Sequence, residues 1–311
     1  MMDFSILIST WNNCQRLAIT LESLTLIPIP KQLKWEVIVV NNNCSDKTDE
    51  VIQKFMNRLP LVYVKEPLQG LSRARNKGLN AAKGRLIIFT DDDVRPFPEW
   101  VKTYWIQYQK HPEGYFFGGP IVSEFENPNF DRKILPFTHS SVRGLDWGAQ
   151  EKVLGKDEYF IAANWACPRE IIFQCGCFNI NKGLGATGNK VNVGEESGLM
   201  CHLKQKGWKP LYLPQAKIFH FVPKQKCDLK HNANRAEALG LEHSWQYIEN
   251  DRPTLIAGIP RWMYKRYFDL WKDWVFSKIR GNNGYVQYIE YRRMIGIMRG
   301  ARALLRKRNA G

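Results

Sequence analysis

Three consecutive carboxylates, Asp91, Asp92 and Asp93, follow an apolar run at residues 86–89. The run has the length and composition of a buried strand, and Gly84 separates it from the helix-like pattern before it. Carboxylates in a row repel one another unless a positive group lies among them, and divalent cations bind oxygen ligands. The aspartates therefore predict a divalent cation that is shared with the phosphates of a substrate. A solvated acidic turn is the alternative interpretation.

A second acidic pair, Glu195 and Glu196, follows a glycine-rich segment at residues 183–194 and begins a helical pattern. Carboxylates at the amino end of a helix are stabilised by the helix dipole whether or not they do chemistry. The pair is therefore either a catalytic acid/base element or a simple helix start.

Apolar strand-like runs and helical patterns alternate over the first 90 residues, which predicts a parallel sheet with helices on both faces. Ligands bind where the strands of such a sheet end. We therefore expect four loops to converge at one edge, at residues 10–12, 41–43, 73–76 and 91–93.

Four segments resemble family 2 glycosyltransferases in order and spacing: ILISTWNN, EVIVVNNNCSDKT, GLSRARNKGLNAAKG and LIIFTDDD. The resemblance implies an α/β protein of the GT-A fold, which is Rossmann-like, with a mostly parallel central sheet flanked by helices. It places the catalytic domain at residues 1–225, with a nucleotide-binding half at 1–122 and an acceptor-side half at 123–225. Residues 226–311 are then a basic, aromatic-rich helical C-terminal extension.

The resemblance also implies roles for individual side chains. It assigns Asp93, with Asp91 and His220, to an Mn²⁺ or Mg²⁺ ion, although a packed core histidine is the alternative for His220. Glu196 matches the catalytic base of a G-E-[DE]-x-x-L signature, with Glu195 beside it. The role of Asp92 is ambiguous, because three consecutive aspartates can be aligned with the family's D-x-D motif in more than one way. The implied nucleotide-sugar contacts are Thr10, Trp11, Asn12, Asn41, Asn42, Arg73, Arg75, Asp91 and Asp92.

Two departures and one alternative qualify these roles. Glu196 replaces the commoner aspartate of the family. Asn41 and Asn42 stand where many members carry aspartate, so the identity of the nucleobase that the protein recognises stays open. Amide side chains can pair with the edge of a uracil or thymine. Arg73 and Arg75 are candidates for bidentate phosphate contacts, or they are solvated or paired with an acid.

The implied activity is metal-dependent inverting transfer of a sugar from a nucleotide-sugar donor, a UDP-sugar, to a hydroxyl of a glycan or lipid-linked acceptor. A sugar-phosphate nucleotidyltransferase is one alternative, but no glycine-rich, basic phosphate loop stands near the first strand. The absence of a G-x-G-x-x-G motif disfavours a dinucleotide-dependent dehydrogenase.

The net charge of +15 is concentrated in residues 252–311, where fourteen Lys or Arg residues stand against three acids. Seven aromatic residues at 262–278 alternate with basic ones, which predicts an interfacial helix pair on an anionic membrane. Simple packing of the aromatics is the alternative. A nucleic-acid-binding protein is the third functional hypothesis, but no known binding motif is present, so we expect no nucleic acid partner.

No export signal and no apolar stretch of membrane-spanning length are apparent in the sequence. Seven irregularly spaced cysteines favour reduced thiols. We therefore expect a cytoplasmic protein, peripheral on the inner face of the cell membrane.

Overall fold

The computed structural model describes residues 2–180, 195–248 and 254–308. These residues form two compact units. The first contains residues up to Glu124 and from Gly144 to Phe221, and the second contains Phe125–Arg143 and the residues from Val222 onward. The second unit therefore combines Phe125–Arg143 with the C-terminal residues. The functional halves on either side of residue 122 stay a prediction.

The strands alternate with helices in the first unit, and helices dominate the second. The strands are β1 (Met2–Thr10), β2 (Trp35–Asn41), β3 (Leu61–Lys65), β4 (Gly84–Asp91), β5 (Val94–Pro96), β6 (Tyr115–Gly118), β7 (Ile121–Phe125), β8 (Lys152–Val153), β9 (Trp165–Pro168), β10 (Lys209–Tyr212), β11 (Ile218–Val222), β12 (Leu255–Ile256) and β13 (Ile259–Pro260). The α-helices are α1 (Cys14–Thr25), α2 (Thr48–Phe55), α3 (Leu71–Ala81), α4 (Trp100–Lys110), α5 (Ser140–Arg143), α6 (Arg169–Gln174), α7 (Glu195–Gln205), α8 (Leu229–Glu242), α9 (Arg261–Ile279) and α10 (Tyr285–Arg308). Three short 3₁₀ helices lie at Arg132–Phe137, Lys224–Cys227 and Ser244–Tyr247.

Within the described ranges, eight strands form one sheet in the order β3-β2-β1-β4-β9-β6-β10-β8. Strands β3, β2, β1 and β4 are parallel, and β10 is parallel to β6. Strand β9 is antiparallel to both β4 and β6, and β8 is antiparallel to β10. The predicted mostly parallel sheet flanked by helices is confirmed.

The register of the parallel strands brings their carboxyl ends to one edge of the sheet. Thr10 of β1 lies opposite Asn41 of β2, and Ser9 lies opposite Asp91 of β4. The loops that follow β1, β2 and β4 therefore leave the sheet side by side, because each strand ends at nearly the same height. Residues 73–76, predicted as a fourth loop at this edge, lie instead within α3.

Two apolar layers cover the faces of this sheet. Successive side chains of a strand point to opposite faces, so Ile6 and Ile88 belong to one layer and Leu7 and Ile87 to the other. Burial on both faces explains why the strands are continuous apolar runs instead of alternating ones.

The side chain of Asn164, just before β9, is fully buried and holds three segments together. Its Oδ1 accepts hydrogen bonds from the Trp100 indole N–H and the Tyr104 hydroxyl, both at 2.7 Å. Its Nδ2 donates to the carbonyl oxygens of Pro120, at 3.0 Å, and Ala216, at 2.7 Å. Asn164 therefore connects α4 to the chain that leads into β11.

We expect Asn164→Ala to lower the free energy of unfolding by about 3 kcal/mol or more, because each buried polar group left without a partner costs about 1–3 kcal/mol. Urea unfolding of the purified protein measures this loss. Asn80→Ala, on the exposed side of α3, is the matched control and should change stability by less than about 0.5 kcal/mol. Equal stability of the two variants would contradict the role of Asn164.

The C-terminal unit is built around α10, and the predicted helical extension is confirmed. Helices α8 and α10 meet at backbone contact, since a Cβ on Gly296 would lie 1.9 Å from the carbonyl oxygen of Glu237. Apolar residues of α10, including Met294 and Ile297, pack with Met263 and Leu270 of α9. Among the helices of the described ranges, none is long and apolar enough to cross a bilayer.

Candidate active site

Asp91, Asp93 and His220 form a cluster at the end of β4. Strand β11 pairs with β5 antiparallel, with His220 opposite Val94, and the Phe221 N–H donates to the Asp93 carbonyl at 2.9 Å. This pairing puts His220 Nε2 at 3.4 Å from Asp93 Oδ1. One potential ligand atom from each of the three side chains lies within 4.8 Å of the others. The tertiary structure thus brings together the three residues predicted to hold the cation.

The electrostatics of the cluster favour a bound cation. Burial raises the pKa of Asp91, and the charge of Asp93 raises it further, whereas the Arg75 guanidinium acts in the opposite direction. Neighbouring carboxylates in a half-buried position resist simultaneous ionisation, and a cation removes that penalty. The donor set of two carboxylates and one imidazole fits a divalent ion, and the carboxylates favour Mg²⁺ or Mn²⁺.

Asp92 is turned away from this cluster, towards the loop after β1. Its carboxylate accepts hydrogen bonds from the Thr10 hydroxyl and from Asn13 Nδ2, the latter at 2.8 Å. Burial raises the pKa of Asp92 to about 7, with a further contribution from Asp93, while the two hydrogen bonds lower it. Sequence reasoning missed Asn13, whose only signal was its place at the end of the Trp11-Asn12-Asn13 run. Direct contact of Thr10 or Asp92 with a nucleotide stays a prediction.

Arg75 connects the two acidic corners of the sequence. Its Nη1 lies 2.8 Å from Glu196 Oε1, and its Nη2 lies 3.7 Å from Asp91 Oδ1. Helix α3 can carry the guanidinium to this point because Gly78 lets it pack closely on β1 and β2, where a Cβ would lie 2.9 Å from Leu7 and Val40. The Arg75 side chain is only 5% exposed. Asp91 and Glu196 therefore lie on two sides of one guanidinium. The predicted contact of Arg75 with a phosphate stays a prediction.

Helix α7 holds Glu196 in its first turn, with the carboxylate mostly buried. Glu195 begins the same helix, but its side chain and the predicted glycine-rich segment lie outside the described residues. The far end of α7 is fixed by Lys204, whose ammonium donates to the carbonyl oxygens of Gly155, Lys156 and Glu158. Sequence reasoning missed Lys204 because its partners lie in a distant loop.

The amides of Asn41 and Asn42 are engaged by the protein itself. Asn41 Oδ1 accepts from the Cys44 N–H, and its Nδ2 donates to Asp49. Asn42 Nδ2 donates to the carbonyl of Leu68 at 2.9 Å, and its Oδ1 accepts from the Gly70 N–H at 2.9 Å. Both side chains hold loops in place. To contact a nucleobase as predicted, Asn41 and Asn42 would have to break these hydrogen bonds.

The remaining predicted nucleotide contacts stand at the same edge with fewer restraints. Trp11 is 57% exposed, and Asn12, at a φ of 48°, accepts a hydrogen bond from the Ser45 N–H. Arg73 is half-buried on α3, two positions before Arg75. Their roles in binding stay predictions.

The family model for glycosyl transferase family 2 matches residues 5–178, which is more than half of the chain and includes most of β1, Arg75 and the aspartates. The chain belongs to glycosyl transferase family 2. This family 2 chain is 36% identical to chondroitin synthase of Escherichia coli over 102 residues. The match covers 32% of this chain and 15% of that protein, so the chain spans only a small part of this relative.

Two solved structures establish the fold of this family 2 chain as GT-A. The first is the mannosyltransferase PcManGT from Pyrobaculum calidifontis in complex with GDP-Man and Mn²⁺, with a TM-score of 0.55 and 16% identity over 99% of this chain and 75% of that one. The second is S. aureus TarS 1–349 in complex with UDP, with a TM-score of 0.53 and 14% identity over 100% of this chain and 92% of that one.

Proposed function

We propose that the chain is a metal-dependent inverting glycosyltransferase that moves a sugar from a nucleotide-sugar donor to a hydroxyl of a glycan or lipid-linked acceptor. The observation that carries the proposal is the contact of Arg75 with both Glu196 and Asp91. It brings a candidate base next to a candidate site for a metal and a diphosphate. Family membership supports the reaction class.

Asp91, Asp93 and His220 would hold Mn²⁺ or Mg²⁺. The ion, when bound, supplies positive charge that stabilises the departing diphosphate. The structure of PcManGT contains Mn²⁺, which supports a divalent cation in the proposed reaction. The other site residues would orient the donor, with Arg75 placed beside both the diphosphate and the base.

Glu196 would take the proton of the acceptor hydroxyl as its oxygen forms a bond to the anomeric carbon. The bond from that carbon to the diphosphate oxygen breaks, and its electron pair leaves with the nucleoside diphosphate. Attack opposite the leaving group inverts the anomeric centre, and no enzyme nucleophile is needed.

UDP is the donor nucleotide that we propose, with TarS bound to UDP as support. GDP is the alternative to test, because PcManGT is bound to GDP-Man. We further propose that the enzyme works on the inner face of the cell membrane. The basic residues of the C-terminal unit would attract anionic lipids, at about 1 kcal/mol for each Lys or Arg near the surface.

Thermal unfolding of the purified protein with nucleotide diphosphates tests this proposal. We expect UDP to raise the melting temperature when Mn²⁺ is present and not when EDTA replaces it, because a ligand at 100 times its Kd stabilises the folded state by about 2.7 kcal/mol. A shift with GDP alone would show that the donor nucleotide carries guanine instead of uracil. The proposed reaction class, glycosyl transfer, would be unchanged. No shift with any nucleotide and either metal would contradict the proposal.

A further inference from the structure

Helix α9 exposes a row of large apolar and basic side chains to solvent. At spacings of three and four residues the row consists of Lys265, Phe268, Lys272, Phe276 and Ile279, here called the outer row. Residues at these spacings share one face of a helix. Phe268 is 59% exposed and Ile279 is 73% exposed. Single exposed apolar residues are ordinary, but an aligned row of them indicates an interaction surface.

The opposite side of α9 already holds the helix in its unit. Met263 and Leu270 are buried, and the Trp274 ring stacks on Tyr291 of α10, with ring centroids 5.9 Å apart. The Tyr267 and Tyr291 hydroxyls are hydrogen-bonded at 2.9 Å. The outer row is therefore not needed to pack α9 on α10.

Helix α10 contributes most of its large apolar residues to the interior of the unit, although Val286 and Leu304 are exposed. Met294, Ile297 and Ala301 are buried against α9 and the residues before it. Of the two helices predicted to be interfacial, α9 presents the more continuous exposed apolar row. An interfacial role for α10 stays a prediction.

We propose that the outer row is a docking surface that seats in the interfacial layer of an anionic lipid bilayer. The proposal deepens the membrane location proposed above. Phe268, Phe276 and Ile279 would enter the boundary between headgroups and acyl chains, while the ammonium groups of Lys265 and Lys272 reach lipid phosphates.

Charge favours a bilayer over the other candidate occupants. Helix α9 carries five basic residues and two acids, and the acids Asp269 and Asp273 each follow a member of the row by one position, about 100° around the helix. A second copy of the same lysine-bearing row would repel the first. A nucleic acid offers phosphates to the lysines but no apolar partner for Ile279.

Co-sedimentation with vesicles tests the surface, using phosphatidylcholine with and without phosphatidylglycerol. We expect the full chain to sediment with the anionic vesicles and to stay in solution with the neutral ones. The variants Phe268→Ser/Phe276→Ser and Lys265→Glu/Lys272→Glu should each bind anionic vesicles about tenfold more weakly or worse.

The control Lys54→Glu/Lys110→Glu makes the same change in charge at exposed positions of the first unit and should bind within about twofold of wild type. The melting temperature and its shift with nucleotide and Mn²⁺ should stay unchanged in all variants. That readout separates failure of the docking surface from failure of the proposed transferase activity.

Four results would each overturn the docking surface. The wild type fails to bind anionic vesicles, or the serine variant binds them like wild type. Alternatively, the wild type is a dimer and the serine variant is a monomer, which would show that the outer row binds a second copy of the chain. Finally, the wild type binds single-stranded RNA more tightly than anionic vesicles, and the row variants lose that binding.

Discussion

Asp93→Ala is expected to lower sugar transfer and donor hydrolysis by about a thousandfold. The carboxylate of Asp93 lies 3.4 Å from His220 Nε2, in the cluster that would hold the cation. Removing it takes away one of two carboxylate ligands, and the charge that stabilises the leaving diphosphate is usually worth several kcal/mol. Release of nucleoside diphosphate from UDP-sugars in the presence of Mn²⁺ measures the loss.

A second readout separates loss of the cation site from loss of fold. Because Asp93 adds negative charge beside Asp91, its removal should leave the melting temperature without metal unchanged or slightly higher. Addition of Mn²⁺ should stabilise the wild type and not the variant. Asp269→Ala, an exposed aspartate on α9, is the control and should keep both activity and the response to Mn²⁺. Wild-type activity of the Asp93→Ala variant would show that Asp93 is not part of the catalytic site.

Glu196→Gln is expected to reduce transfer by about 10²- to 10⁴-fold, the usual contribution of a general base. Glutamine keeps the shape of the side chain, and its carbonyl oxygen can still accept the hydrogen bond that Arg75 Nη1 makes to Glu196 over 2.8 Å. It cannot accept the proton of the attacking hydroxyl. The loss should therefore fall on turnover, with the affinity for UDP and Mn²⁺ changed by less than about threefold.

Steady-state transfer and nucleotide titration on the same preparation distinguish these quantities. Glu113→Gln, at an exposed position before β6, is the matched control and should behave as wild type. If Glu196→Gln instead weakens nucleotide binding and leaves turnover intact, then Glu196 positions the donor through Arg75 and another group is the base.

The sequence alone determined the parallel half of the sheet and the edge at which the site lies. Continuous apolar runs such as residues 86–89 are sufficient to predict strands buried on both faces, because strand formation depends on local patterning. Parallel strands that alternate with helices end at one edge, so the convergence of the loops near Thr10, Asn41 and Asp91 follows from the order of elements. Residue types also indicated a cation among the aspartates.

Only the tertiary structure decided what each polar side chain contacts. The aspartate run has no unique register in sequence, and the pairing of β5 with β11 turns Asp91 and Asp93 to His220 and leaves Asp92 with Thr10 and Asn13. Arg75 was assigned to a phosphate or an acid on residue type alone. Its contact with Glu196 spans 121 positions of sequence, and no local pattern encodes a partner that distant.

The same reason applies to packing away from the site. The four hydrogen bonds of Asn164 and the exposure of one face of α9 depend on which segments fold against one another. Periodicity along the chain specifies which element forms and which of its residues share a face. Which face is covered, and which donor meets which acceptor, is set by contacts between segments that are far apart in sequence.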